Sequence, residues 1–214
     1  LDLQKMGFED QSYQDVQDAI HAPYGMVLVT GPTGSGKSTT LYSCVAAVAH
    51  PEVNVTTVED PVEYRMDGIN QVPVNPKRGL TFAGALRSIL RQDPDVVLVG
   101  EIRDAETAEI AIKAALTGHM VLSTLHTNDA AGAISRLQDM GVENFLIASS
   151  LVAVLSQRLL RCICSECGGD EEKYPCRKCA STGYKGRVGV YEFLEVDQQI
   201  QNAIMEQKDS GQIN

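Results

Sequence analysis

Short, wholly buried-looking runs alternate with longer amphipathic ones along this chain. Met26-Val27-Leu28-Val29-Thr30, Val96-Val97-Leu98-Val99 and Met120 to Leu125 lack the apolar–polar alternation of a half-exposed strand. They read as strands covered on both faces, as in a parallel sheet. Val53 to Val58 is β-branched and reads as another strand. Helical spacing fills the intervals: Tyr13 to His21, Ser38 to Ala49, Thr81 to Gln92, Asp104 to Leu116, Asn128 to Met140 and Asn144 to Leu160. In the third of these, Phe82, Leu86, Ile89 and Leu90 share one face. Strands alternating with helices predict an α/β fold on a parallel-rich sheet. Tyr64 to Val74 alternates loosely around Asp67-Gly68, which predicts a hairpin.

The rhythm breaks at residues 162–186, where Gly, Pro, Cys and charge dominate. Arg187 to Val196 then reads as a strand and Gln198 to Gln207 as a closing helix. The expected organisation is a linker and helix (1–25), an α/β core (26–160), a cysteine-bearing element (161–187) and a final strand and helix (188–214).

Composition narrows the class. The 214 residues suffice for a full core, and a hydrophobic content of 43% excludes a disordered chain. No apolar run approaches the ~18 residues of a membrane span. No signal-peptide pattern is present, so the cytoplasm is the expected compartment. Leu1 suggests a fragment of a longer protein. Eighteen Lys and Arg against 28 Asp and Glu leave a charge of −10, which disfavours a broad nucleic-acid surface but not a local basic channel.

The chemistry centres on Gly31-Pro32-Thr33-Gly34-Ser35-Gly36-Lys37-Ser38-Thr39. It sits between a strand and a helix with the spacing G-x-x-x-x-G-K-S, a P-loop (Walker A) in its required context. Glycines let backbone N–H groups turn around a phosphate chain, and the helix start adds its positive end. Lys37 reaches the β- and γ-phosphates of ATP, and Ser38 ligates Mg²⁺.

Ligands of open α/β sheets bind beyond the carboxyl ends of the strands, and that rule sorts the other candidates. Asp95 precedes the Val96–Val99 strand and Glu101 follows it, roughly 20 Å apart at ~3.3 Å per residue. Glu101 therefore takes the Mg²⁺ side, through a water, and Asp95 is a turn residue after Pro94. His119 and His126 flank the Met120–Leu125 strand likewise. His126 is the expected γ-phosphate sensor; His119 bonds the strand's amino end or an adjoining subunit. Glu59 and Glu63 both follow the second strand, and either could orient the attacking water.

Cys164-x-x-Cys167 and Cys176-x-x-Cys179 have the spacing of two tight turns that complete a closed tetrahedral Zn²⁺ site. Without export signals, metal is favoured over disulfides. A closed site is structural rather than catalytic. Cys162 lies close enough to stand in for Cys164, and Cys44 reads as a buried apolar residue.

Four motifs stand in order: GPTGSGKST (31–39), VEDPVEY (58–64), DVVLVGEIRD (95–104) and TGHMVLSTLHT (117–127). They resemble the Walker A, Asp box, Walker B and His box of secretion traffic ATPases. The subgroup they resemble is the type II secretion and type IV pilus assembly ATPases. The cysteine pairs followed by Gly183-Tyr184-Lys185-Gly186-Arg187 look like that subgroup's zinc-binding element, with a short stretch, Gly168 to Pro175, between the pairs. The resemblance implies a RecA-like P-loop NTPase core with a small Cys₄ zinc-binding subdomain. It also implies a homo-hexameric ATPase at the cytoplasmic face of the inner membrane, served by membrane platform and cytoplasmic assembly proteins and preceded by a further domain. Glu63 would be the water-activating acid. Arg87 and Arg91 would lie around the nucleotide or the subunit contact. The alternatives are a DNA-uptake or conjugation motor, or a nucleotide-gated assembly module with little turnover.

Overall fold

The computed structural model describes residues 2–208 and 210–213. After a 3-10 turn at Leu3–Met6, the elements run α1 (Asp10–Ile20), β1 (Gly25–Thr30), α2 (Lys37–Val48), β2 (Val55–Glu59), β3 (Asn70–Pro73), α3 (Phe82–Ile89) and β4 (Val96–Val99). They continue with α4 (Ala105–Leu116), β5 (Met120–Leu125), α5 (Ala131–Asp139), α6 (Asn144–Ser150), β6 (Leu151–Ile163), β7 (Tyr184–Glu195), α7 (Gln198–Met205) and α8 (Ser210–Ile213). The seven strands form one sheet in the order β3-β2-β4-β5-β1-β6-β7. Six are parallel, and β7 pairs antiparallel with β6.

The all-apolar strands are apolar because both faces are covered. Met26, Leu28, Val97, Val99 and Val121 point into a core closed by α3 to α8. Val27, Val29, Val96, Leu98 and Leu122 point into a second core closed by α1 and α2. No helix among the described residues is long and apolar enough to cross a membrane.

Two segments depart from their sequence pattern. Residues 144–160, expected as one helix, split into α6 and the long strand β6. The run Leu151 to Leu155 is buried throughout apart from a half-buried Val152. Periodicity cannot tell a short buried helix from a buried strand. The free edge of β1 decides: β6 pairs along it from Met26 to Thr30. Residues 64–74 form no hairpin. Only β3 is a strand there, and it runs parallel to β2. The chain recrosses through Tyr64–Ile69, and Gln71 clamps that crossing. Its Nε2 donates to the Tyr64 carbonyl at 2.9 Å, and its Oε1 accepts from the Met66 N–H at 2.8 Å. Asp67-Gly68 is a turn within the crossing, with Gly68 at φ +78°.

β6 and β7 outrun the rest of the sheet as one antiparallel ribbon, paired from Ala153–Glu195 out to Ile163–Tyr184. The four paired cysteines lie in the connection at its far end.

Candidate active site

The loops after β1, β2, β4 and β5 leave the same edge of the sheet and line one pocket. Lys37, Ser38, Glu59, Glu63, Glu101 and His126 all face it. Parallel strands bring this about, because their carboxyl ends collect on one side.

The P-loop turns at three positive-φ glycines, Gly31, Gly34 and Gly36. Gly31, at φ +137°, is obligatory: a Cβ there would strike the Gln157 carbonyl oxygen. The Lys37 ammonium is buried and donates to the carbonyls of Gly31 and Pro32 at 2.9 and 3.1 Å. Burial pulls its pKa below the ordinary lysine value, and the Glu101 carboxylate pulls the other way.

The two Asp-box acids occupy different surroundings. Glu59 is 4% exposed and accepts from Tyr42 Oη, Thr57 Oγ1 and Gln71 Nε2. Its lone pairs are engaged, so it acts as an anchor. Glu63 is exposed, and its Oε1 accepts from the Ser38 hydroxyl at 3.4 Å. Its backbone N–H donates to Tyr42 Oη at 3.1 Å. Burial first, and the bond to Glu59 second, push the Tyr42 phenol up to about 12. The hydroxyl therefore keeps its proton for Glu59.

Glu101, 16% exposed, has two basic side chains beside it. Arg103 pairs with Oε1, and His126 Nε2 lies 3.5 Å from Oε2. The strands beneath are tied by side chains: Ser123 Oγ donates to the Val99 carbonyl at 2.7 Å and Thr124 Oγ1 to that of Gly100 at 2.8 Å. Asp95 and His119 sit at the opposite edge. Asp95 Oδ2 accepts from the Asn54 N–H at 2.6 Å, and His119 Nδ1 bonds the Ala114 carbonyl at 3.0 Å.

Arg87 and Arg91 are the exception among the expected site residues. Neither lines the pocket. Arg87 pairs with Glu106 on α4 at 2.7 Å, and Arg91 is exposed in the turn Leu90–Gln92 that precedes β4. α3 starts at the pocket with Phe82 and runs away from it; Arg87 stays beside the first turn of α4, and the following turn reaches the amino edge of the sheet, where the Gln92 carbonyl accepts from Asn54 Nδ2. Of the two places the resemblance implies for them, the nucleotide or the subunit contact, the pocket of this single chain holds neither residue.

Two residues with direct contacts to the site, Tyr42 and Gln157, lie outside every motif, and a third, Arg103, lies inside one at a position the motif gives no role. Tyr42 stands as an aromatic among the mostly small and polar residues of the first turns of α2. Arg103 lies two residues beyond Glu101. Gln157 is a lone amide after the apolar run of β6, and it touches the P-loop at both ends of its side chain.

The Sγ atoms of Cys164, Cys167, Cys176 and Cys179 all lie within 4.8 Å of one another. Cys164–Cys176 is 3.9 Å and Cys167–Cys179 is 3.7 Å. A tetrahedral Zn²⁺ with ~2.3 Å bonds separates its thiolates by about 3.8 Å, whereas a disulfide needs about 2.05 Å. The donor set fits zinc. Backbone N–H groups of Cys167 and Glu166 pull the Cys164 thiol below its ordinary value, whereas burial pushes that of Cys167 up to about 11. Cys162 stays on β6 outside the cluster. Cys44 is buried in α2, where burial pushes its thiol up to about 12.

A glycine-rich loop, a buried lysine and strand-end acids on a parallel sheet define a P-loop nucleotide-binding protein. Within that class, the chain belongs to the type II/IV secretion system protein family, whose model matches residues 1–214. It is 52% identical over 223 residues to the type II secretion system protein E of Dickeya dadantii (strain 3937), covering 95% of this chain and 45% of that protein. It is 48% identical over 235 residues to the type IV pilus assembly ATPase PilB of Thermus thermophilus, covering 99% of this chain and 26% of that one. The crystal structure of the pilus retraction motor PilT with bound ADP superimposes with a TM-score of 0.80 at 37% identity, over 97% of this chain and 57% of the other. The chain thus spans less than half the length of these curated relatives.

Proposed function

We propose that this chain is the ATP-hydrolysing core of a motor for type II secretion or type IV pilus assembly. One observation carries the reading: four strand-end loops bring Lys37, Ser38, Glu63, Glu101 and His126 into one pocket. The backbone N–H groups of Gly34 to Lys37 and the Lys37 ammonium hold the β- and γ-phosphates. Ser38 and Glu101 would hold Mg²⁺, which neutralises charge on the phosphate oxygens when bound. Glu63, exposed and beside Ser38, orients the water and takes its proton as the water oxygen bonds to γ-phosphorus and the bond from γ-phosphorus to the bridging oxygen breaks. ADP leaves with the electron pair. His126, coupled to Glu101, faces the γ-phosphate as its sensor.

Zn²⁺ at the four cysteines has a structural role, because all four positions are filled by protein. The motif resemblance further implies a homo-hexamer working with membrane assembly proteins at the cytoplasmic face of the inner membrane. In such a ring, Arg87 and Arg91 would serve the subunit contact rather than their own pocket. The charge of −10 argues against direct nucleic-acid translocation.

The test is Mg²⁺-dependent phosphate release by the native protein and by Glu63→Gln. Turnover lost with ATP affinity retained supports the reading. No ATP binding by the native protein, or unchanged turnover in the variant, overturns it.

A further inference from the structure

We propose that Gln157 is a positioning residue for phosphate binding: a brace that holds the P-loop in its receiving shape. The inference rests on the nucleotide reading above and deepens it. Gln157 lies on β6, is 1% exposed, and has its amide under the loop. Nε2 donates to the Ser35 carbonyl, and Oε1 accepts from Thr40 Oγ1 at 2.6 Å. One side chain thus ties the crest of the loop to the first turn of α2.

The loop is in turn shaped around this residue. A Cβ at Gly31 would collide with the Gln157 carbonyl oxygen, and one at Gly36 would stand 2.9 Å from its Nε2. Two of the loop's three positive-φ bends therefore press on this residue, Gly31 on its backbone carbonyl and Gly36 on its side-chain amide, while a Cβ at Gly34 would meet nothing. With the Ser35 carbonyl directed onto Nε2, the N–H of the same planar peptide, that of Gly36, points away from Gln157. The phosphate chain meets a loop already in place, so little ordering entropy is lost on binding. The Gly36 carbonyl lies 3.3 Å from the same Thr40 hydroxyl, whose single proton goes to the nearer Gln157 Oε1.

A residue that only filled space would be replaced well by an apolar side chain of similar size. Gln157→Leu keeps the volume and removes both hydrogen bonds. It leaves the Ser35 carbonyl and Thr40 hydroxyl without this partner in a buried site. Affinity for ADP and ATP should each fall roughly ten-fold or more, because both carry the β-phosphate that the loop grips. Affinity for AMP, which lacks it, should stay within about two-fold. Amide hydrogen exchange at residues 31–36 should quicken while that of β4 and β5 stays unchanged.

The experiment measures binding of ADP, ATP and AMP to the native protein, Gln157→Leu and Thr40→Val, with circular dichroism and melting as folding checks. Thr40→Val removes one hold and should give a smaller loss of the same pattern. It keeps the proposal open to refutation should Gln157→Leu not fold. Equal ADP affinity in a folded variant overturns the proposal, as does a parallel loss of AMP affinity. Failure of the native protein to bind any of these nucleotides would instead sink the functional reading itself.

Discussion

The Tyr42 hydroxyl accepts the backbone N–H of Glu63 at 3.1 Å while it donates its own proton to Glu59. One phenol on the P-loop helix therefore links the buried acid of the second strand to the exposed acid that faces Ser38. The exposed carboxylate is mobile by nature, and this bond fixes the backbone from which it reaches.

Removing the link should separate chemistry from binding. Tyr42→Phe leaves the Glu63 N–H without its acceptor and Glu59 without one of three donors. Turnover should fall roughly ten-fold with ATP affinity nearly unchanged, and stability should fall by about 1–3 kcal/mol. Glu63→Gln should lose on the order of 100-fold in turnover with no loss of stability. Steady-state kinetics beside thermal melts distinguish the two. A Glu59→Gln protein that melts normally and turns over as slowly as Glu63→Gln would reverse the roles assigned here.

Lys37 predicts a response to alkaline pH with opposite signs for folding and for binding. Its folded pKa lies below the ordinary value of 10.5, chiefly through burial. At lower pH the buried charge therefore costs stability, and the cost is relieved as pH rises from the lowered value towards 10.5. Phosphate binding needs the ammonium and should weaken over that same window. ADP affinity measured up to pH 10.5 should drop in the native protein and stay flat in Lys37→Met. That variant should also bind at least ten-fold more weakly at pH 7 and melt higher. A flat native profile would show that the lysine charge is not used.

The cysteines should react in three stages. In the native protein a thiol reagent should reach Cys162, which lies outside the cluster and is half-buried. After removal of about one zinc per chain by a strong chelator, the four clustered cysteines should join it. Cys44, fully buried with its thiol pushed up to about 12, should react only on unfolding. Metal analysis and mass spectrometry read each stage. All four clustered thiols labelling at once in untreated protein would refute a metal site.

Arg87 and Arg91 point to complementation between subunits. Both lie outside their own pocket, so whichever of the two aids hydrolysis would do so on a neighbour. Mixed assemblies of Arg91→Ala and Glu63→Gln should recover turnover that neither variant shows alone. No recovery across mixing ratios would remove Arg91 from the reaction. A single arginine at a phosphoryl transition state is worth on the order of 10³-fold or more, so the readout has ample range.

Short-range chemistry was legible in the sequence. The P-loop, the paired cysteines and the order of strand-end acids depend on spacings of a few residues. Strand-then-loop order alone put Glu101 and His126 on the carboxyl edge and Asp95 and His119 on the other. The tertiary structure decided whatever depends on burial and on partners far along the chain. Glu59 and Glu63 are four residues apart and chemically alike, but only the fold surrounds one with Tyr42, Thr57 and Gln71 and leaves the other in solvent. Leu151 to Leu160 is apolar enough for either a helix or a strand, and the open edge of β1 made it a strand. That choice put Gln157 under a loop some 120 residues earlier in the chain, a contact no local pattern encodes. The direction of α3 carried Arg87 and Arg91 away from the pocket that its first residue lines. Spacing determines which groups can act together within one turn; packing against the rest of the chain determines which are desolvated, anchored or free to react.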